Sequence, residues 1–364
     1  MKIGILSGAV KNAGDFLIVE RSIKLLQVAY PNSEFITFNR LMNLENRIVE
    51  LNSCDLLVLA GGPVYLEETY PKAVPLVRKL DDIKSPIITL GCGWYGKNDL
   101  GETVYNKYRF SKETNKFYQK VSQNGPLACR DWLTYKILKN NGYCNVIMTG
   151  CPAWYDVDRV EDTKHKDISL KDPRMICISD TGYKMNLPKS FILTQYLRET
   201  YPRAEIHYVF HRGIDVPGER GDRNRELCNK LKRINDLVIH DISDSSEGFS
   251  IYDKCDFHIG FRVHAHIYNL SVRNISILIE EDGRGRGVND ALYLKGVRPY
   301  TYFNGNEKVE LIDNKYFIED INFLFDEIEL MQFSMFDNAY EIMNKYYYIM
   351  LNYLKKYKNR IGEK

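Results

Sequence analysis

The sequence predicts an α/β protein in which two Rossmann-like domains face a central cleft. Its 364 residues exceed the size at which one hydrophobic core usually stops growing. Short apolar runs alternate with helix-patterned stretches along the chain, which is typical of β-α units on a parallel sheet. The stretch Asp156–Asp172 is charged and poor in apolar residues, as expected of a linker. We therefore predict domains over 1–160 and 170–325, followed by a C-terminal helical tail over 326–364.

Short apolar runs in both halves are predicted to be strands. They are Lys2–Leu6, Glu34–Phe38, Asp55–Ala60, Pro86–Leu90, Leu127–Arg130, Asn145–Thr149, Met175–Ser179, Glu205–Phe210, Leu237–His240, Asp256–Phe261 and Ile275–Ile279. Because helix-patterned segments separate them, the sheets should be parallel, with the carboxyl ends of the strands at one edge. Ligands of open parallel sheets bind at that edge, so the residues that follow each strand are the candidates for function.

The composition is that of a folded globular protein and excludes several classes of function. Apolar residues make up 44% and charged residues 27% of the chain. Lysine and arginine total 50 against 48 acidic residues, which gives no argument for a nucleic-acid or membrane surface. The 8 cysteines include no C-x-x-C pair, so we predict buried thiols, no metal and no cofactor. We find no signal-peptide segment and no apolar span of membrane length, which predicts a cytoplasmic protein.

The segment Phe333–Tyr357 is tyrosine-rich and helical in pattern, with Lys355, Lys356, Lys358 and Arg360 at or beyond its end. One interpretation is a helix that packs on the first domain, its late lysines complementing the helix dipole. The other is a basic aromatic helix that rests on a membrane surface. The first is favoured, because tyrosine and lysine commonly cover a core with their apolar parts. At most, we expect peripheral membrane contact.

Glycine and polar residues follow the strands of the first half. Gly61 and Gly62 follow the third strand, where they would let a ligand approach the backbone or simply allow a tight turn. After the first strand, Asn12 and Gly14 precede an amphipathic helical run whose N-terminus can donate to an anion. Asp15 is either a further ligand contact or the N-cap of that helix.

The stretch Cys255–Asn289 is the richest in candidate chemistry, since Arg262 and His264 lie where a strand ends and a helix begins. The helix terminus contributes about half a unit of positive charge and the arginine a full one. This combination predicts a site for a carboxylate or phosphate, with His264 as acid or base. The structural alternative is an ion pair of Arg262 with Asp256 or Glu280.

Further basic residues surround this segment. His264 and His266 form H-x-H, but side chains two apart on a helix diverge, and no third ligand stands at suitable spacing. Arg284 and Arg286 lie on a glycine-rich loop after the next strand, where mobile arginines would suit a substrate with several negative charges. A second basic loop over 211–225 could serve the same purpose, although a solvated charged loop is the ordinary interpretation.

Three segments resemble the polysaccharide pyruvyl transferases: LVLAGGPVY, LACRDWLTYKILKNNG and GFRVHAHIYNLSVRNISILI. The resemblance covers most of the chain up to about Leu294. It implies a fold similar to two-domain GT-B glycosyltransferases. It also implies transfer of the pyruvyl unit of phosphoenolpyruvate onto two hydroxyls of a glycan sugar, which forms a ketal. By this resemblance Arg262 and His264 bind the donor and act as acid/base, and Arg130 helps to bind the donor.

We therefore hypothesise a pyruvyl transferase of polysaccharide or cell-surface glycan biosynthesis, with His264 and Arg262 as its catalytic residues. The predicted substrate-binding residues are Arg130, Asn12, Gly14, Asp15, Gly61, Gly62, His266, Arg284 and Arg286. Its partners would be phosphoenolpyruvate and a glycan acceptor, lipid-linked or not, and no nucleic acid. The alternatives are a GT-B glycosyltransferase that uses a nucleotide sugar and a non-catalytic glycan-binding protein, because the same fold serves each of them.

Overall fold

The computed structural model describes residues 1–96, 106–304 and 309–361. Contacts between residues divide the chain into two compact units. Unit 1 comprises Met1–Ala9, Ile18–Val157 and Met343–Lys364, and unit 2 comprises Val10–Leu17 and Asp158–Ile342. The sequence predicts that Val10–Leu17 belongs to the first domain, but these residues group with unit 2. One contact that ties them to unit 2 is the hydrogen bond from the backbone N–H of Ala13 to the carbonyl oxygen of His211, at 3.0 Å.

Unit 1 contains a four-stranded parallel sheet in the order β2-β1-β3-β4. Its strands are β1 (Lys2–Ser7), β2 (Glu34–Asn39), β3 (Leu56–Ala60) and β4 (Ile87–Leu90). A separate parallel pair is formed by β5 (Leu127–Cys129) and β6 (Val146–Met148). The first helices of the chain are α1 (Ala13–Ala29), α2 (Ile48–Asn52), α3 (Lys112–Ser122) and α4 (Trp132–Asn140). Every residue of β3 is buried, as expected where both faces of a parallel sheet are covered.

Unit 2 contains a five-stranded parallel sheet in the order β11-β10-β7-β8-β9. Its strands are β7 (Met175–Ser179), β8 (Glu205–Phe210), β9 (Leu237–Asp241), β10 (Phe257–Gly260) and β11 (Ile275–Leu278). The later helices are α5 (Leu187–Thr200), α6 (Glu219–Leu231), α7 (Val263–Ser271), α8 (Gly283–Leu292), α9 (Phe317–Leu330) and α10 (Ser334–Ile361). From the central β7 the chain builds outward through β8 and β9 and then returns to β10. The strand order therefore reverses between β7 and β10, which is the topological switch point of this sheet.

Each predicted strand is present, with ends that differ from the prediction by no more than one residue. The predicted α/β fold class with parallel sheets is confirmed. An antiparallel hairpin of β12 (Tyr300–Asn304) and β13 (Val309–Asp313) was not predicted. Its exposed residues, such as Leu311 and Ile312, lack the buried apolar run by which the other strands are recognised.

The C-terminal helix α10 packs as the favoured interpretation of the tail predicts. The hydroxyl of Tyr353 donates to the carbonyl oxygen of Thr89 at 2.8 Å, and that of Tyr30 donates to the carbonyl oxygen of Leu354. These contacts lie within unit 1, in agreement with the grouping of Met343–Lys364. Within the described ranges, no helix has both the length and the apolar character needed to cross a bilayer.

Candidate functional site

The carboxyl edge of the second sheet brings several charged side chains together at the switch point. Arg262 follows β10 and is the N-cap residue of α7, so the predicted position at a strand end and a helix start is confirmed. Asp180 follows the neighbouring β7, Arg212 lies just after β8, and Glu281 lies just after β11. All of them belong to unit 2.

Asp180 clamps the guanidinium of Arg262 from one side. Nε of Arg262 donates to Oδ1 of Asp180 at 2.6 Å and Nη2 donates to Oδ2 at 2.5 Å. Burial lowers the pKa of Arg262, but the Asp180 carboxylate outweighs it and raises the pKa above the ordinary value. Within the described part of the chain, Nη1 of Arg262 makes no hydrogen bond. The pair therefore orients the arginine and leaves one arm of its fork for an incoming oxyanion.

The partner of Arg262 differs from both predicted alternatives. Asp256 accepts from the backbone N–H of Arg174 at 2.6 Å, and Glu280 pairs with Arg298 at 3.1 Å. Both acidic residues are therefore engaged elsewhere, and the structural ion pair is made with a residue at the end of the adjacent strand.

Removing the Asp180 carboxylate should destabilise the protein strongly. In Asp180→Ala the Arg262 side chain, only 12% exposed, would lose its charge partner. Breaking a buried pair from one side costs about 3–5 kcal/mol, and we expect urea unfolding to show a loss of about 3 kcal/mol or more. The matched control is Asp290→Ala, which removes the partner of Arg286 at a solvent-exposed site and should cost about 0.5 kcal/mol. Equal, small losses in both variants would contradict a buried clamp.

Glu281 borders the same arginine and is itself held by donors of the loop that follows β7. Its carboxylate accepts from the hydroxyl of Thr181, from the backbone N–H of Gly182 at 3.0 Å and from the side-chain amide of Asn186 at 2.8 Å. Burial raises the pKa of Glu281, and the nearby Arg262 opposes that shift. This fixed carboxylate limits how much net positive charge Arg262 contributes to the site.

The structure brings His264 against Gly14, two residues 250 positions apart in the chain. A Cβ atom at Gly14 would overlap the imidazole ring of His264, so only glycine leaves room for the ring in this position. Asn12 donates from its side-chain amide to Asp15 at 2.7 Å, which fixes the start of the same helix. Of the predicted residues, Asn12, Gly14 and Asp15 therefore lie in unit 2 beside His264. The helix begins at Ala13, so Asp15 lies in its first turn and is not the N-cap.

Arg212 lies in this same charged cluster and has no neutralising partner of its own. Within the described ranges it donates no hydrogen bond and forms no ion pair. Burial and the charge of Arg262 lower the pKa of Arg212 to about 10, Arg220 and Arg284 act in the same direction, and Asp15 opposes them. A half-buried cation among like charges is the electrostatic condition that an anionic ligand relieves. The interpretation of the basic loop as merely solvated is therefore wrong for Arg212.

The glycine-rich segment after β11 is ordered helix, which corrects the prediction of a mobile loop. Asp282 is the N-cap of α8 and also accepts from the side chain of Arg284, with Nε at 3.0 Å. Arg286 lies one turn from Asp290 and pairs with it at 3.4 Å. Arg284 contributes charge near Arg262, whereas Arg286 is engaged on the surface of α8.

His266 is a core residue, so the prediction that it binds substrate is corrected. It has no exposed surface, and its Nδ1 lies 2.8 Å from the hydroxyl of Ser276. Burial lowers the pKa of His266 to about 3, so it stays neutral. The residue points into the sheet because position 266 of α7 faces β11, whereas His264 lies against Gly14. Within the described ranges, no group of three or more His, Cys, Asp or Glu side chains could hold a metal.

The predicted residues of unit 1 follow the carboxyl ends of β3 and β5. Gly61 and Gly62 have φ of +50° and +72°, so the turn after β3 requires glycine for its geometry, and the buried Arg40 donates to the carbonyl of Gly61 at 3.1 Å. Arg130 is 2% exposed, and it donates to Asp131 at 3.0 Å and to the carbonyl of Trp94 at 2.8 Å. Arg130 is therefore buried and held by its neighbours, and the donor-binding role predicted for it stays a prediction.

Two residues of the cluster, Asp180 and Glu281, were not singled out from the sequence, and Arg212 was predicted only as part of the basic loop 211–225. Asp180 and Arg212 directly follow or nearly follow predicted strands, so the rule that ligands bind at the carboxyl edge would have selected them. The sequence alone does not pair Asp180 with Arg262, because the two residues become neighbours only when β7 lies beside β10 in the sheet.

Comparison with known proteins supports the fold and the family. The model of a family described as polysaccharide pyruvyl transferase matches residues 12–268. A search of curated proteins finds no match. Among solved structures, the co-structure of MnaA and UDP from S. aureus is similar, with 14% identity, a TM-score of 0.57 and coverage of 93% of this chain and 92% of that chain. The UDP-GlcNAc 2-epimerase from Neisseria meningitidis bound to UDP-GlcNAc has 13% identity, a TM-score of 0.54 and coverage of 98% and 100%. These two likenesses concern the fold alone and agree with the GT-B-like prediction.

Proposed function

Because the chain belongs to the polysaccharide pyruvyl transferase family, we propose that it transfers the pyruvyl group of phosphoenolpyruvate onto two hydroxyls of a glycan sugar. The observation that carries the proposal is Arg212, a half-buried cation without a partner in the described ranges, in the same cluster as Arg262 and Asp15. Phosphoenolpyruvate carries both a carboxylate and a phosphate, so it supplies the negative charge that Arg212 lacks.

The proposed reaction balances as an addition followed by a displacement. One sugar hydroxyl adds to the central carbon of phosphoenolpyruvate while a proton goes to the methylene carbon, which becomes a methyl group. The second hydroxyl then forms a bond to the same carbon as phosphate leaves, and its proton is taken up by a base or by phosphate. The products are the ketal and inorganic phosphate.

The residues take roles that their positions suit. The free arm of Arg262 and the guanidinium of Arg212 would hold the two oxyanions of the donor, as preorganised charge that needs little rearrangement. His264 would deliver the proton to the methylene carbon or remove it from an attacking hydroxyl. Its ring occupies the space that a side chain at Gly14 would fill.

Two variants should separate binding from chemistry. His264→Ala should lower turnover by about 100-fold or more, the usual contribution of a positioned acid or base, while donor binding survives. Arg262→Lys keeps a positive charge opposite Asp180 but loses the Nη1 group that we propose binds the donor. It should therefore raise the KM for phosphoenolpyruvate more than it lowers kcat. Steady-state kinetics with both substrates varied would measure this split. Wild-type activity in both variants would refute the assignment.

The decisive experiment is phosphate release from phosphoenolpyruvate against a library of glycan acceptors, with the mass gain of the acceptor measured in parallel. A pyruvyl ketal adds one pyruvate unit less one water to the acceptor. Thermal stabilisation by phosphoenolpyruvate and by nucleotide sugars provides the comparison with the glycosyltransferase alternative. Stabilisation by nucleotide sugars alone would favour that alternative, and donor binding without phosphate release across the library would favour a non-catalytic protein.

A further inference from the structure

One side of α9 exposes apolar side chains in a row. Tyr316, directly before the helix, and Phe323 and Leu330 within it recur every seven residues and therefore lie on one side of the helix. They are 69%, 72% and 85% exposed. Single exposed apolar residues are common, but three that recur every two turns on one helix face, with carboxylates between them, are typical of an interaction surface.

Carboxylates border this row on both sides. At about 100° per residue, Glu319 and Asp326 lie on one flank and Asp320 and Glu327 on the other. Glu319 and Asp326 have no ion-pair partner in the described part of the chain. We call the row and its four flanking carboxylates the acidic face of α9. Two acidic faces would repel each other, so the surface favours a basic partner.

A basic helical surface occurs on the same protein. Lys345, Lys355 and Lys356 are exposed on α10, and Tyr348 is 48% exposed between them. None of the three lysines has an ion-pair partner in the described ranges. We call these four residues the basic face of α10.

The two faces match in length as well as in charge. At about 1.5 Å per residue, the row from Tyr316 to Leu330 extends about 21 Å and the basic face from Lys345 to Lys356 about 17 Å. Tyr348 would pack against the apolar row while the lysines approach the flanking carboxylates.

We propose that the acidic face of α9 in one copy of the chain binds the basic face of α10 in a second copy. Because the two surfaces differ, the interface is heterologous, in contrast to the self-complementary patch of a twofold dimer. Its charges are exposed at the rim, so added salt should weaken it. The proposal does not depend on the reaction that the protein catalyses.

Sedimentation velocity over a concentration series tests the pairing. The wild-type chain should self-associate. The double variants Glu319→Lys/Asp326→Lys and Lys355→Glu/Lys356→Glu should each associate at least about tenfold more weakly, the effect of about 1.4 kcal/mol. When the two variants are mixed, one supplies an intact acidic face and the other an intact basic face, so a 1:1 complex should form. The matched control is Glu247→Lys, a charge reversal at an exposed residue that belongs to neither helix, which should associate like wild type.

Three results would overturn the proposal. They are a monomeric wild type up to its solubility limit, a loss of association in the acidic-face variant without a loss in the basic-face variant, and the absence of a complex in the mixture. Circular dichroism of each variant separates lost folding from lost association. Since the substituted side chains are all outside the core, the folds should be retained, and Phe323→Ala provides an uncharged second test of the same face.

Discussion

Gly14→Ala should lower turnover by about 100-fold or more while leaving the overall fold intact. A Cβ atom at Gly14 would overlap the ring of His264, so the imidazole must leave its position. The backbone itself gives no reason for a loss, because Gly14 does not have a left-handed φ and lies in the first turn of α1. Alanine is favoured over glycine in a helix. Any loss of activity therefore reports the position of the histidine ring.

A double variant provides the control. If the effect of Gly14→Ala acts through His264, then Gly14→Ala/His264→Ala should be no less active than His264→Ala alone, because the ring that collides with the new Cβ is absent. The measurement is kcat at saturating phosphoenolpyruvate and acceptor, with thermal unfolding of each variant. Wild-type turnover in Gly14→Ala would show that the chemistry does not need His264 at this position. If the losses of turnover in the two single variants add up in the double variant, Gly14 and His264 act independently.

The position of the site could be predicted from sequence because it depends on local pattern. Buried apolar runs define the strands, and parallel strands bring their carboxyl ends to one edge. Arg262 was therefore correctly placed between β10 and α7, and His264 at the start of α7. The same reasoning predicted Asn12 and Gly14 at the start of a helix, since the first apolar run ends just before them.

Side-chain partners could not be predicted in the same way. Arg262 was given Asp256 or Glu280 as alternative partners because they are near in sequence, whereas the actual partner, Asp180, is 82 positions away. The pairing depends on β7 lying beside β10, and strand order is a property of the whole sheet. His266 shows the same limit, since only the packing of α7 on the sheet decides which histidine is buried.

Arginines of this region differ in whether a carboxylate already pairs with them. Asp180 pairs with Arg262, Asp282 with Arg284 and Asp290 with Arg286. Such pairs hold side chains in place but reduce the field that a ligand experiences. An arginine that lacks a matched carboxylate is therefore one for which binding of an anion changes the electrostatic energy most. Arg212 is such an arginine, since within the described ranges it has neither a hydrogen bond nor an ion pair.

Arg212→Ala should raise the KM for phosphoenolpyruvate by about tenfold to 100-fold, the effect of losing a charged hydrogen bond worth about 1.5–3 kcal/mol. Its effect on stability should have the opposite sign. Because burial and Arg262 lower the pKa of Arg212 in the folded protein, its charge is unfavourable there, and removing it should leave the melting temperature unchanged or higher. Thermal unfolding with and without phosphoenolpyruvate measures both effects, and the shift caused by the donor should shrink in the variant.

The matched control for this prediction is Arg225→Ala, which removes an arginine of α6 that is already paired with Asp222. It should leave the KM for phosphoenolpyruvate and the donor-induced shift unchanged. A structural arginine behaves differently from a ligand-binding one, because its loss lowers stability whether or not donor is present. A lower melting temperature of Arg212→Ala combined with an unaltered donor-induced shift would therefore assign Arg212 to the fold. A stable variant that no longer responds to phosphoenolpyruvate would assign Arg212 to donor binding. Removing a residue can raise stability and weaken binding at the same time only when its charge is uncompensated in the empty site.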